Sequence, residues 1–93
     1  MKFEWDEEKR RENIFKHGLD FADAGQLFDH PMLTITDERF DYDEIRFIGI
    51  GFMNTMVVAV VVFSERDPDI VRVISLRKAN KHEKERYERA FRN

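Results

Sequence analysis

Basic side chains gather where the last predicted strand of this sequence ends. Arg77 and Lys78 close an apolar, alternating segment, and a helix rich in Lys and Arg follows. From residue 76 to residue 93 there are seven Lys or Arg against three Glu, whereas the whole chain of 93 residues has a net charge of −3. The rest of the chain is therefore strongly acidic. Such asymmetry indicates that one surface meets a polyanion.

If the polyanion is RNA, these residue types can do chemistry on it. Cleaving RNA without a metal needs a base for the ribose 2′-OH, cations around the phosphorus and an acid for the leaving oxygen. Arg77 and Arg66 suit the second role, because a guanidinium can hold a phosphate through two hydrogen bonds. Arg77 ends a strand, a common place for functional residues. Arg66 precedes a turn at Pro68, where the alternative is an ordinary turn cation.

Lys16 and His17 are the candidates for proton transfer or phosphate binding. Both stand in the last turn of a predicted helix, where basic residues are also expected from the helix dipole alone. Tyr87 could stack on a base or donate its hydroxyl, or it could cover the edge of the core. The remaining histidines, His30 and His82, are predicted to be solvated. The three histidines lack ligand-like spacing, so neither a metal nor another cofactor is predicted.

Length and composition predict one domain over residues 1–93, with 42% hydrophobic residues and no cysteine. The absence of cysteine fits a reducing cytoplasm. The start of the chain lacks an apolar signal region, so export is not expected. An uncharged run over Phe47–Ser64 approaches the length of a membrane helix. Two glycines and Asn54-Thr55 interrupt that run, so it predicts two strands and a turn instead.

The pattern of elements predicts a small antiparallel sheet with two helices before most of its strands and one after them. Asp6 is a predicted N-cap for a helix over about residues 7–17 that ends at Gly18, and a second helix runs from Asp20 to His30. Strands are predicted near residues 3–5 and over 33–36, 45–52, 56–63 and 70–77, the fourth of these being central and buried on both faces. Asn80 and Glu83 form a predicted capping box for the last helix. The order β-α-α-β-β-β-β-α defines the α+β class.

Three segments resemble the BrnT toxins of bacterial type II toxin–antitoxin operons. In the first, the pattern is carried by Trp5-Asp6, Lys9, Asn13 and Lys16-His17-Gly18. The middle segment matches at Arg46 and Gly51. The last matches at the following positions: Ile74-Ser75, Arg77, Ala79, Glu83 and Tyr87. The resemblance spans nearly the whole chain and is weakest over residues 29–43.

The resemblance implies a RelE-like fold and a ribonuclease that restrains translation when its antitoxin is absent. It also implies a BrnA-like antitoxin with a ribbon-helix-helix DNA-binding domain, in a hetero-oligomer that symmetry predicts to be 2:2. Neither membrane association nor DNA binding by this chain alone is expected. The predicted site comprises catalytic His17, Lys16, Arg66, Arg77 and Tyr87, and RNA-binding Lys78, Lys81 and Arg46. The alternative function is a non-catalytic module that docks an acidic partner through its basic C-terminal helix.

Overall fold

The computed structural model describes residues 1–39 and 43–91, so Arg92 of the basic tail lies outside the described residues. Within these ranges five strands and three α-helices form an α+β fold, as predicted. The helices are α1 (Glu7–His17), α2 (Gly25–Phe28) and α3 (Lys81–Phe91), and the strands are β1 (Lys2–Glu4), β2 (Leu33–Thr36), β3 (Phe47–Phe52), β4 (Val58–Asp67) and β5 (Ile70–Lys78). None of the helices in the described part of the chain has the length and apolar character needed to cross a membrane.

The five strands form one mixed sheet in the order β1-β5-β4-β3-β2. Four of them pair antiparallel, but β1 runs parallel to β5, with Phe3 beside Val71 and Glu4 beside Arg72. The prediction of a purely antiparallel sheet is therefore wrong at this edge. No tight turn joins β1 to β5, so nothing in the local sequence forces the antiparallel direction that a hairpin would impose.

Helix α1 has the ends that its sequence predicts. The Asp6 carboxylate accepts hydrogen bonds from the backbone N–H groups of Glu8 (2.9 Å) and Lys9 (3.2 Å). Gly18 ends the helix with a φ of 72°, a left-handed conformation that glycine adopts without steric cost. These two caps fix where Lys16 and His17 lie relative to the sheet.

The predicted second helix is shorter than expected and is broken. A 3₁₀ turn over Phe21–Asp23 comes first, and α2 follows over Gly25–Phe28 only. The Asp20 carboxylate caps the 3₁₀ turn by accepting from the N–H of Ala22 at 2.9 Å. This tight path buries Phe21 and Leu27 almost completely against the sheet. The stabilisation from burying these side chains therefore outweighs the stabilisation that a continuous helix, favoured by their spacing, would provide.

Two apolar cores lie on opposite faces of the sheet, and β4 contributes to both. Ala59 and Val61 face the core covered by the 3₁₀ turn and α2, whereas Val58 and Val60 face the core covered by α3. The prediction that this strand is central and buried on both faces is confirmed. On the α3 side, the core residues cluster toward one end of the sheet. The remainder of that side, defined by Val62, Arg72, Ser75 and Arg77, is called the open face below; Ser64 lies on the same side of β4 but is buried.

Candidate active site

Arg77 lies near the end of β5 and is held in a fork-to-fork ion pair with Glu83. Its Nη1 and Nη2 atoms each donate to a different carboxylate oxygen of Glu83, both at 2.8 Å. Glu83 also accepts from the N–H of Asn80, whose side chain accepts in return from the N–H of Glu83, so the predicted capping box is confirmed. The start of α3 therefore positions the guanidinium, which keeps 38% of its side-chain surface exposed.

The charges around this pair shift the pKa values of both side chains. Hydrogen bonding to Arg77 holds the pKa of Glu83 below its ordinary value, and the same bonds raise the pKa of Arg77. The charge of Arg39 acts in the opposite direction on the pKa of Arg77. Arg39 is itself 2.8 Å from the buried carboxylate of Asp37. Arg39 is thus close enough to affect Arg77, although the Asp37 carboxylate pairs with it and offsets its charge.

A bulge in β5 decides which side chains share the open face. Val62 pairs with Ser75 and Phe63 pairs with Val73, so Ile74 is an extra residue in β5. Strict alternation would place Arg72 and Arg77 on opposite faces, because they are an odd number of residues apart. The extra residue brings both guanidiniums to the same face.

Helix α1 brings Lys16 and His17 to the edge of β5. A cleft of about 230 Å³ lies between the two elements and is lined by Lys9, Glu12, Asn13, Lys16, His17, Ile74 and Ser75. Ser75 also belongs to the open face, so the cleft and that face are continuous. Lys16 is exposed and His17 is half-buried. The structure therefore brings both predicted residues to the strand that carries Arg77.

The buried side chain of Asn13 fixes α1 against this strand. Its amide nitrogen donates to the carbonyls of Leu76 (2.7 Å) and Leu19 (2.9 Å), and its oxygen accepts from the N–H of Leu76 at 3.2 Å. Leu76 immediately precedes Arg77. The Asn13 amide thus satisfies the backbone N–H and C=O of Leu76 as a neighbouring strand would. Strand β1 pairs only with residues 70–72 of β5 and does not reach Leu76.

The structure does not bring Arg66 to Arg77. Arg66 stands six residues along β4 from Val60, the residue paired with Arg77, which corresponds to roughly 20 Å at about 3.3 Å per residue. Its Nη1 lies 3.8 Å from the carboxylate of Glu4, and Arg72 donates to the same oxygen at 2.8 Å. Sequence reasoning missed Arg72. The signal was available, since Arg72 alternates with Val71 and Val73, which are buried on the other face.

Tyr87, a predicted catalytic residue, is a packing residue in the structure. Only 4% of its surface is exposed, and its hydroxyl donates to the carbonyl of Pro31 at 2.7 Å. Its ring lies edge-on to Phe52 and is tilted against Phe91. Burial raises the pKa of the hydroxyl. The geometry favours the alternative in which Tyr87 covers the edge of the core, and the proposed site does not include it.

The three predicted RNA-binding residues lie in two places. Lys78 and Lys81 are exposed and flank the Arg77–Glu83 pair at the junction of β5 and α3. Arg46 precedes β3, is about one quarter exposed and lies 3.6 Å from Glu44. Among residues 1–39 and 43–91, no three His, Asp or Glu side chains are grouped so that they could hold a metal ion.

The fold and this arrangement define a small α+β protein that presents several guanidiniums on one open sheet face, beside a cleft with a lysine and a histidine. Residues 5–83 match the family described as "Ribonuclease toxin, BrnT, of type II toxin-antitoxin system". The chain belongs to this family, as its sequence predicted. It is similar to the crystal structure of the Brucella abortus ribonuclease toxin BrnT, with 34% identity, 87% of this chain and 99% of that chain covered, and a TM-score of 0.66. A search of curated protein sequences found no match.

Proposed function

We propose that this chain is a metal-independent endoribonuclease toxin with a RelE-like fold that inhibits translation in the cytoplasm. The observation that carries the proposal is the position of Arg77, which is preorganised by Glu83 on the open face and lies two residues along β5 from Ser75, a residue that lines the Lys16–His17 cleft. A guanidinium has five N–H donors, so pairing with Glu83 leaves Arg77 able to bind a phosphate.

In the proposed reaction, the ribose 2′-oxygen attacks the adjacent phosphorus and the bond to the 5′-oxygen of the next nucleotide breaks. A base near Ser75 takes the 2′-OH proton, and His17 and Lys16 are the side chains that the cleft supplies. Arg77 stabilises the charge that develops on the phosphorane oxygens. A proton delivered to the 5′-oxygen completes the step and leaves a 2′,3′-cyclic phosphate and a 5′-hydroxyl.

This function is tested by incubating the purified chain, freed of any copurifying antitoxin, with RNA in EDTA. Cleavage that leaves 2′,3′-cyclic phosphate ends is expected for wild type, with Arg77→Ala as the inactive control. The alternative, a non-catalytic module docking an acidic partner, predicts intact RNA at every protein concentration. Loss of wild-type cleavage in EDTA with recovery by a divalent cation would contradict metal independence.

A candidate partner surface for the antitoxin lies around the turn between β3 and β4 and the adjoining side of α3. Phe52, Met56, Tyr87 and Phe91 border apolar hollows, the largest of about 530 Å³. Met56 is 78% exposed and has a φ of 66°, a conformation that a non-glycine residue adopts only at a steric cost. Lys78 and Lys84 line the adjoining hollow. We propose that a ribbon-helix-helix, BrnA-like antitoxin places an amphipathic, acidic segment here in a 2:2 complex.

Coexpression with the adjacent reading frame, followed by mass measurement, tests this partner. Met56→Glu should weaken the complex, because it buries a charge in the apolar hollow. Ile45→Glu is the matched control, since Ile45 is also exposed (68%) but does not line these hollows. Recovery of only free monomer from the wild-type coexpression would contradict the toxin–antitoxin assignment, whereas equal weakening by both substitutions would contradict this surface.

A further inference from the structure

A second group of guanidiniums lies on the open face, at the end distant from Arg77. Arg72 and Arg66 share one carboxylate oxygen of Glu4, at 2.8 Å and 3.8 Å. The parallel pairing of β1 with β5 places Glu4 directly beside Arg72. One carboxylate cannot neutralise two guanidiniums, so the three side chains carry a net charge of +1. All three remain partly exposed, with 53% of the Arg66 side chain accessible.

A buried polar residue, Ser64, lies beside this group in the sheet. Ser64 is the residue of β4 that pairs with Arg72, and it stands in a strand that is otherwise mostly apolar up to that point. Its hydroxyl is buried and has no hydrogen-bond partner within residues 1–39 and 43–91. Leaving such a group unpaired costs about 1–3 kcal/mol. Ser64 is only 1% exposed, so the binding surface of this group is provided by the three charged side chains and not by this hydroxyl.

The distance between the two guanidinium groups limits what the open face can bind. Arg72 and Arg77 are five positions apart on β5, with Ile74 as the extra residue of the bulge, so their Cα atoms are roughly 13–16 Å apart at about 3.3 Å per residue. Glu83 holds the Arg77 guanidinium toward α3 and Glu4 holds the Arg72 guanidinium beside β1, so we expect the two groups to bind different phosphates. The open-face positions between them, Val62 and Ser75, are uncharged, so they present no repulsion to an anionic chain.

We propose that Arg66 and Arg72, with Glu4 between them, form a second phosphate subsite, which binds a phosphodiester of single-stranded RNA more than one nucleotide from the bond that is cleaved at Arg77. This inference rests on the proposed RNA substrate. Glu4 holds the two guanidiniums in place when RNA is absent and competes with the phosphate for them. The subsite therefore contributes to RNA binding and register, whereas Arg77 contributes to the chemical step.

Binding of 2′-O-methyl RNA tests the subsite, because the blocked 2′-oxygen prevents cleavage. The double variant Arg66→Gln with Arg72→Gln should bind a hexanucleotide roughly 10-fold more weakly than wild type, while its binding to a dinucleotide is unchanged. The salt dependence of hexanucleotide binding should become shallower by about 0.7 for each phosphate that the variant no longer neutralises. Arg11→Gln is the matched control, since Arg11 is an exposed arginine on α1.

Glu4→Gln provides a test of opposite sign. Removing the competing carboxylate should tighten hexanucleotide binding several-fold and steepen its salt dependence, a gain that a purely structural role for Glu4 would not produce.

Unchanged hexanucleotide affinity and salt slope in a folded double variant would overturn the subsite. A folded double variant that loses antitoxin binding but keeps RNA binding would also overturn the subsite. Wild-type protein that binds the hexanucleotide but cleaves no RNA would refute the proposed catalysis and leave the subsite supported.

Discussion

Arg77 and Glu83 form two parallel hydrogen bonds of 2.8 Å across the junction of β5 and α3. The carboxylate that caps the last helix is thus the same group that orients the proposed phosphate-binding guanidinium. This coupling joins the stability of α3 to the geometry of the site. Changes at either residue should therefore affect both properties, but in different proportions.

Arg77→Ala should remove about 2.7–4 kcal/mol of transition-state stabilisation, by analogy with deleting one preorganised donor from an active site. Arg77→Lys should rescue activity poorly, because a point charge cannot reproduce the guanidinium fork. The measurements are RNA cleavage rates for variants whose folding is verified by thermal denaturation. A folded Arg77→Ala variant that arrests growth with normal potency would exclude this role.

Glu83→Gln should change how stability depends on pH. Hydrogen bonding to Arg77 lowers the pKa of Glu83 in the folded state below its ordinary value of 4.5. The stabilisation is therefore fully present above that ordinary value and is lost as the pH falls through the lower, folded-state pKa. Denaturant unfolding between about pH 6 and pH 3 should show a smaller decline in stability for Glu83→Gln than for wild type. The control is Glu85→Gln on the same helix, and an equal decline in all three proteins would contradict the expectation.

Tyr87→Phe should destabilise the protein by about 0.5–1.5 kcal/mol, because it removes the hydrogen bond to the Pro31 carbonyl while keeping the ring. RNA cleavage by the folded variant should stay close to the wild-type rate. Chemical denaturation and cleavage assays on the same preparation separate the two effects. A large loss of cleavage with unchanged stability would instead return the hydroxyl to the active site.

Local signals in the sequence predicted the elements well, because their causes are local. Asp6 and Gly18 bound α1, and the Asn80–Glu83 box opens α3, through contacts within a few residues. Contacts that join distant segments could not be predicted. Nothing in the valine-rich segments indicates that Ile74 is an extra residue, yet this bulge decides which face Arg72 occupies relative to Arg77.

The same distinction explains the result for the candidate site. Lys16, His17 and Arg77 could be predicted as site residues because each stands at the end of a predictable element. Alternation with Val71 and Val73 indicates that Arg72 faces outward, but its partner Glu4 lies 68 residues away in a strand parallel to β5, so the pairing could not be predicted. Tyr87 was assigned to catalysis because its partner, the Pro31 carbonyl, lies in a distant loop and leaves no local pattern.

Lys16 and His17 line the same cleft, but successive residues on a helix point about 100° apart, so the two side chains are not expected to serve one phosphate equally. If His17 transfers the proton, His17→Gln should change the pH dependence of cleavage with little loss of RNA binding.

Lys16 is expected to act as a phosphate cation, so Lys16→Ala should weaken binding and reduce its salt dependence by about one counterion. Arg11→Ala is the matched control, since Arg11 is an exposed cation on the same helix that does not line the cleft. The measurements are pH–rate profiles and salt titrations of RNA binding on folded variants.

An unchanged pH–rate profile in His17→Gln would remove His17 from the mechanism. The base would then be Lys16, Glu65 or water. Glu65 pairs with Val71, whose side chain lies in the core on the opposite face from Arg77. The geometry therefore favours Lys16 or water over Glu65.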